Sequence, residues 1–312
     1  MSQLHRFLRN WQNLLALLLI GGCLCVALAA PWLAPQEDPA NPTAMRRPPG
    51  YRPTALLTPR PPGAEAPLGT VPGGWDVYHA LVWGAWPTLY FGLVTTALTA
   101  GFGVIIGAIA GYAGGAVNRL LMRVTDAFLT FPAIAGIFLF RYILMPVTPE
   151  TPPNLLQSIL VFLKIDPVML ALIFFSWMPY ARLIHGNMLT LKQTEYALAA
   201  KTTGAKPLRI IFRHLLPNAI APAIVLAARD VGGMVILEAA FTFIGIGSGL
   251  PWGVLLVAGR NWIIGAGGNP FGHWWVFIPA TLALILFSLG WNLLGDGLNT
   301  LWNPHSAKRR IG

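Results

Sequence analysis

Cysteine is almost absent. The 312 residues hold two, Cys23 and Cys25, both inside one apolar run. A disulfide across a single intervening residue is sterically awkward, and C-x-C is not a zinc-knuckle spacing. Both thiols read as apolar filling. Acidic residues are also scarce, 11 against 21 Lys and Arg, and only 10% of the chain is charged. There is no G-x-x-x-x-G-K-[ST] loop and no Gly-Lys pair at all, which excludes a phosphate loop on this chain. The six histidines show no ligand spacing, so no bound metal or other cofactor is expected. A net charge of +10 raises the question of nucleic acid. The chain lacks the basic-aromatic tract that such binding uses, and nucleic acid is excluded.

Apolar sequence is what the chain has in quantity. Hydrophobic residues make up 55% of it and the mean hydropathy is +0.61. Several runs approach or exceed the roughly 20 residues that cross a bilayer. The pattern predicts an all-α integral membrane protein with six transmembrane helices, at 14–33, 86–112, 125–146, 167–186, 217–246 and 275–299. Domain organisation follows. Residues 1–33 are an amino-terminal segment and first span, and 34–85 are a Pro-rich extracytoplasmic segment of extended, irregular backbone. Residues 86–304 are a five-helix core with a polar loop at 187–216, and 305–312 are a basic tail. Basic residues near the span ends place both termini in the cytoplasm by the positive-inside rule.

The first apolar run admits three readings. Its basic start and "ALAA" (27–30) fit a cleavable signal peptide, and "IGGC" (20–23) fits a lipoprotein signal. A retained helix fits better, because the run stays apolar well past Cys23 and further spans follow. Gly103, Gly107 and Gly111 recur every four residues in the second span, a smooth groove for close helix packing. The stretch at 147–166 reads as a Pro-containing loop, and 245–274 as an outside loop with a re-entrant or surface-lying piece.

Three charges fall inside the fifth span: Arg229, Asp230 and Glu238. Charges at such depth face a bundle interior or a water-filled path. Arg229 and Asp230 therefore line a translocation path or, alternatively, pair between helices. Glu238, nearer the outer end, carries the same two readings, translocation path or packing. Asp126 and Asp296, near the cytoplasmic ends, read as capping or pairing with loop arginines.

The polar loop contains "EYALAAKTTGAKPLRIIFRHLLPN" (195–218). Residues 195–203 favour helix, Thr194 can cap its start, and Glu195 suits the positive end of the dipole. Tyr196, Ala199, Ala200 and Thr203 share one mostly small face. Gly204 permits a turn and Pro207 opens a second helix. From composition, two readings stand: a small-faced helix that enters a groove on a cytoplasmic partner, or a basic loop that anchors to lipid headgroups.

This segment resembles the "EAA" loop of ABC importer permeases, with Glu195, Ala199, Ala200 and Gly204 at the expected spacing and "HLLPN" (214–218) after them. "PLGT" (67–70), "GYAGG" (111–115), "RVTDAF" (123–128), "YARLIHGNMLTLK" (180–192), "EAAFTFIGIG" (238–247) and "NLLGDGLNTLWNP" (292–304) fall in order. The set, over residues 67–304, resembles the second permease subunit of the dipeptide/oligopeptide/nickel importers.

The resemblance implies a type I ABC importer permease fold in a bacterial or archaeal inner membrane, with a cytoplasmic coupling helix. Glu195, Tyr196, Ala199, Ala200, Thr203 and Gly204 would dock into the groove of an ATP-binding subunit, one of two separate subunits that hold the ATP and Mg. A second, homologous permease subunit and an extracytoplasmic solute-binding protein would complete the importer. This chain would not itself be an enzyme. The cargo implied is peptide, with nickel or another small solute as the alternative. Three residues depart from the family pattern: Val71 stands where an acid is usual, Trp75 and Trp86 where arginine is usual. Two rivals are an ion-coupled secondary transporter, which usually shows internal repeats, and a membrane-anchored scaffold. No repeat is visible, and the in-order motifs speak against both.

Overall fold

The structure is a computed structural model, and it describes residues 3–35, 46–47, 58–144, 155–162, 165–247, 249–264, 268–269 and 271–302. The tail at 305–312 and residues 36–45 and 48–57 of the Pro-rich segment lie outside the described residues. Four helices are long and apolar enough to span a bilayer: Trp11–Leu33, Val77–Ala113, Pro167–Leu191 and Ile278–Trp302. Six result if each of two bent pairs counts as one span. Trp11 and Trp32 are both exposed and, at 1.5 Å per residue, lie about 30 Å apart on the first helix. That spacing matches two aromatic belts at the edges of a hydrocarbon core.

Several boundaries differ from the sequence expectation. The second span begins earlier: one helix of 37 residues runs Val77–Ala113. Its start is fixed by Asp76, whose carboxylate accepts from the amides of Tyr78 (2.8 Å) and His79 (3.3 Å). At about 1.5 Å per residue it exceeds the bilayer core, so part of it projects beyond. Residues 70–76 are not irregular either. Thr70–Val71 and Trp75–Asp76 form a two-stranded antiparallel ladder, so the described residues are not wholly helical. The third span is broken at Phe131–Pro132, and Gly115–Thr130 and Ile134–Phe140 meet at 92°. Proline cannot continue a helix ladder without loss. Within the expected loop at 147–166 lies a helix, Leu155–Phe162. Within 245–274 lies another, Pro251–Ile264.

The chain divides into two compact units. One contains Leu4–Leu93 and Val231–Leu294. In it, Trp83 donates to the Ala34 carbonyl (2.8 Å) and Trp252 to the Leu81 carbonyl (2.9 Å). Val71, Val77, Leu255 and Trp275 form a buried cluster there. The other unit contains Val94–Asp230 and continues from Gly295. Its core joins Val104, Ala108, Tyr180, Ile184 and Met188 to Ile210, Ile211 and Leu215.

Gly103, Gly107 and Gly111 explain how the second unit closes. A Cβ on Gly103 would overlap the Trp177 carbonyl, one on Gly107 the Ala181 carbonyl, and one on Gly111 would lie 2.6 Å from Met188 Cβ. The long helix therefore approaches Pro167–Leu191 backbone to backbone. Lys192 reaches over this seam and donates to the Gly111 carbonyl (2.9 Å), which satisfies a helix-end acceptor.

Candidate functional site

The basic loop grows directly from the glycine seam. Met178–Leu191 ends there, and Glu195–Thr202 begins after a short turn. Thr194 occupies the cap position, but its hydroxyl donates backwards to the Leu191 carbonyl (2.6 Å) and makes no side-chain cap. The shared face expected from spacing is divided. Ala197 is the buried residue, seated in the core cluster, and Ala200 is half-buried against that cluster. Glu195, Tyr196, Ala199, Thr203 and Gly204 are exposed.

The helix stops in a Schellman closure. The Gly204 amide donates to the Lys201 carbonyl (3.1 Å) and the Ala205 amide to the Ala200 carbonyl (3.2 Å). Gly204 has φ +78°, in the left-handed region that favours glycine. The space a Cβ would occupy there is open. Only backbone conformation, not crowding inside the chain, demands glycine at this point.

Pro207 then opens Pro207–Ala219, as the sequence predicts for the second loop helix. Its middle, Ile210–Leu215, is a wide π turn in which the Leu216 amide reaches the Ile211 carbonyl. The following Pro217 has no N–H, and its ring would press on the Arg213 carbonyl in a regular α turn. Widening the turn relieves that conflict. Asn218 donates to the His214 carbonyl (2.8 Å), and Asn187 to the Ala219 carbonyl (3.1 Å). The "LPN" residues thus break the regular ladder and partly re-satisfy it. A cleft of about 500 Å3 opens beside the turn, lined by Ala200, Thr203, Gly204, Lys206, Arg209 and His214 among others.

The charges of the fifth span all have partners. The Tyr180 hydroxyl donates to the Asp230 carboxylate (2.7 Å). Arg229 pairs with Asp296, and Arg182 pairs with Asp126. Asp126 and Asp296 thus pair with arginines of membrane helices, not of loops. Glu238 is buried and accepts from the Thr242 hydroxyl (2.6 Å). The structure brings Arg229 and Asp230 to two different acceptor and donor groups, and it places Glu238 in the other compact unit.

Sequence reasoning missed how these charges are held. Tyr180, Arg182, Asn187 and Lys192 all belong to "YARLIHGNMLTLK", and each makes a hydrogen bond to a distant element. Four hydrogen-bonding side chains at one end of an apolar span were the signal available. Their partners, 32 to 81 positions away, were not.

The family profile of the binding-protein-dependent transport system inner membrane component matches residues 103–307. The chain belongs to this family. It is an ABC importer permease of the dipeptide/oligopeptide/nickel group, a transport subunit and a multi-pass membrane protein. A putative peptide transport system permease protein of Brucella abortus is 30% identical over 96% of this chain and 90% of its own length. The dipeptide transport system permease protein of Alkalihalophilus pseudofirmus is 35% identical over 78% of this chain and 73% of its own. The nickel transport system permease protein of Escherichia coli is 29% identical over 95% of both chains. The permease also resembles a chain of the MetNI methionine ABC transporter in an inward-facing conformation. The TM-score is 0.53 at 19% identity, over 71% of this chain and 96% of that one. That likeness concerns the fold alone.

Proposed function

We propose that the permease forms half of a translocation pathway for di- or oligopeptides. ATP-binding subunits drive it through the helix Glu195–Thr202 and Gly204. The observation that carries the coupling part is the exposed surface of that helix. Glu195, Tyr196, Ala199, Thr203 and Gly204 are open, while Ala197 pins the helix to a core built on the glycine seam. A push or pull on a helix so seated is delivered to Pro167–Leu191 and Val77–Ala113 rather than absorbed in a floppy loop. ATP and Mg belong to the partner subunits. A second permease subunit and a solute-binding protein complete the pathway, and both termini lie on the ATPase side.

The Arg229–Asp296 pair supports a pathway-facing side. Its side chains are 42% and 56% exposed although both residues lie in membrane helices. Charges so exposed do not face lipid. They face the second permease subunit or the water-filled path. Asp230, tied to Tyr180, lies beside them, and Glu238 packs nearer the outer end of the pathway.

Peptide cargo is supported by the names of the relatives, including dipeptide and oligopeptide permeases at 27–35% identity. The nickel permease matched over nearly its whole length supports the second reading. The coupling test is co-purification with co-expressed ATP-binding subunits, comparing the natural chain with Ala199→Glu and Gly204→Asp. Loss of the ATPases from both variants, with the chain still monodisperse, is the expected result. Retention by both overturns the coupling assignment. Uptake of a labelled dipeptide against nickel then decides the cargo.

A further inference from the structure

We propose that Pro207–Ala219 is an interfacial helix whose free face lies on the inner bilayer surface and holds anionic phospholipid headgroups. This goes beyond the ATPase contact, which concerns a different helix. Three observations meet here.

The first is the exposed apolar pair. Leu208 and Phe212, about one turn apart, are 67% and 51% exposed, whereas Ile210, Ile211 and Leu215 on the same helix are buried in the core. The helix thus has a packed face and a second, unpacked apolar strip. The second is charge. Lys206, Arg209 and Arg213 flank that strip, and no acidic residue occurs from Tyr196 through Arg229. The cleft beside the turn has Lys206, Arg209 and His214 on its walls and no carboxylate among its lining residues. The third is direction. Only Ile220 separates this helix from the span Ala221–Phe243, and the two meet at 61°. A helix turned 61° from a span that follows the bilayer normal lies closer to the membrane plane than to the normal.

An apolar strip rimmed by cations is the pattern of helices lying in the lipid interface. Leu208 and Phe212 enter the acyl boundary. Lys206, Arg209 and Arg213 reach phosphates, with an affinity contribution of about fivefold per basic residue near an anionic surface.

The test places a nitroxide label at Leu208→Cys or Phe212→Cys, in the full chain carrying Cys23→Ala and Cys25→Ala. The chain is reconstituted in nanodiscs of phosphatidylcholine alone or mixed equally with phosphatidylglycerol. Collision with oxygen is compared with collision with a water-soluble nickel chelate. The expected result is an oxygen-favouring, interfacial label that sits deeper with phosphatidylglycerol. Replacing Lys206, Arg209 and Arg213 by glutamine abolishes the lipid dependence. A label equally open to the nickel chelate in both lipids overturns the proposal. So does shielding that arises only when ATP-binding subunits or a second permease subunit is added, which would make the face a protein contact. The two-lipid comparison needs no charge variant, so a misfolded triple mutant leaves the test intact. Ala199→Glu leaves this label unmoved, so failure here and failure of ATPase docking are separable.

Discussion

The two halves of the basic loop share one floor and present opposite surfaces. Glu195–Thr202 seats Ala197 in the core and shows Ala199 and polar side chains beside the exposed Tyr196 and Leu198, with no arginine among them. Pro207–Ala219 seats Ile210, Ile211 and Leu215 in the same core and shows Leu208, Phe212 and arginines. A surface of alanine, threonine and glycine lets another backbone come close. A surface of leucine, phenylalanine and arginine suits a lipid boundary. Gly204 and Pro207 set the break between them: a left-handed turn, then a fixed helix start. On the proposed reading, one short loop separates an ATPase contact from a membrane contact.

The largest expected effect removes the common floor. Gly107→Leu drives a side chain into the Ala181 carbonyl and Ile184. Overpacking of this kind costs about 1–3 kcal/mol. Thermal unfolding in detergent should show it, and both loop contacts should weaken together. If only one weakens, the floor is not shared.

Next comes a change confined to one half. Ala199→Glu places a charge on an exposed position that touches none of the core. Association with ATP-binding subunits should fall by about tenfold or more, near 1.4 kcal/mol, while unfolding is unchanged. Equal ATPase affinity would detach the first helix from coupling.

Tyr180→Phe is smaller. It removes the hydroxyl that donates to Asp230 and leaves the packing of the ring. A loss of about 1 kcal/mol in stability is expected, with ATPase affinity retained. A silent substitution would mean that water takes over the Asp230 contact.

The smallest effect lies far from the loop. Burial pushes the Asp76 carboxyl above its ordinary range, opposed by the His79 and Tyr78 amides and by the charges of His79 and Arg46. The folded state then holds this proton more tightly than the unfolded one, so its contribution to stability falls as pH rises from the ordinary carboxylate range through the raised value. Asp76→Asn keeps the caps and should flatten that slope in thermal unfolding measured across mildly acidic pH. Neither loop contact should change.

Legibility in the sequence followed the range of the interaction. Gly204, Pro207 and the 103-107-111 stripe act through backbone geometry and regular spacing, and their places were readable. Thr194 occupies the cap position its sequence context predicts, but its hydroxyl has a nearer acceptor in the Leu191 carbonyl. The break at Pro132 was visible as a proline, though not as a 92° bend, because the bend depends on packing around it. The pairing of Asp230 with Tyr180, 50 residues apart, needed the fold. So did the ladder at 70–76. Val71 and Trp75, two of the three departures from the family pattern, are cross-strand partners. Where that pattern has an acid and an arginine, this chain sets a buried valine against an indole covered by Arg47 at 4.3 Å. Two isolated oddities in the sequence become one exchanged pair in space.

Amide hydrogen exchange of the nanodisc-embedded chain, with and without its ATP-binding subunits, tests the division of the loop most directly. With the loop so divided, added ATPases slow exchange from Glu195 to Gly204 and leave Leu208 to Leu215 at the rate set by the lipid. Slowing confined to Leu208–Leu215, or none anywhere in the loop, would contradict that division.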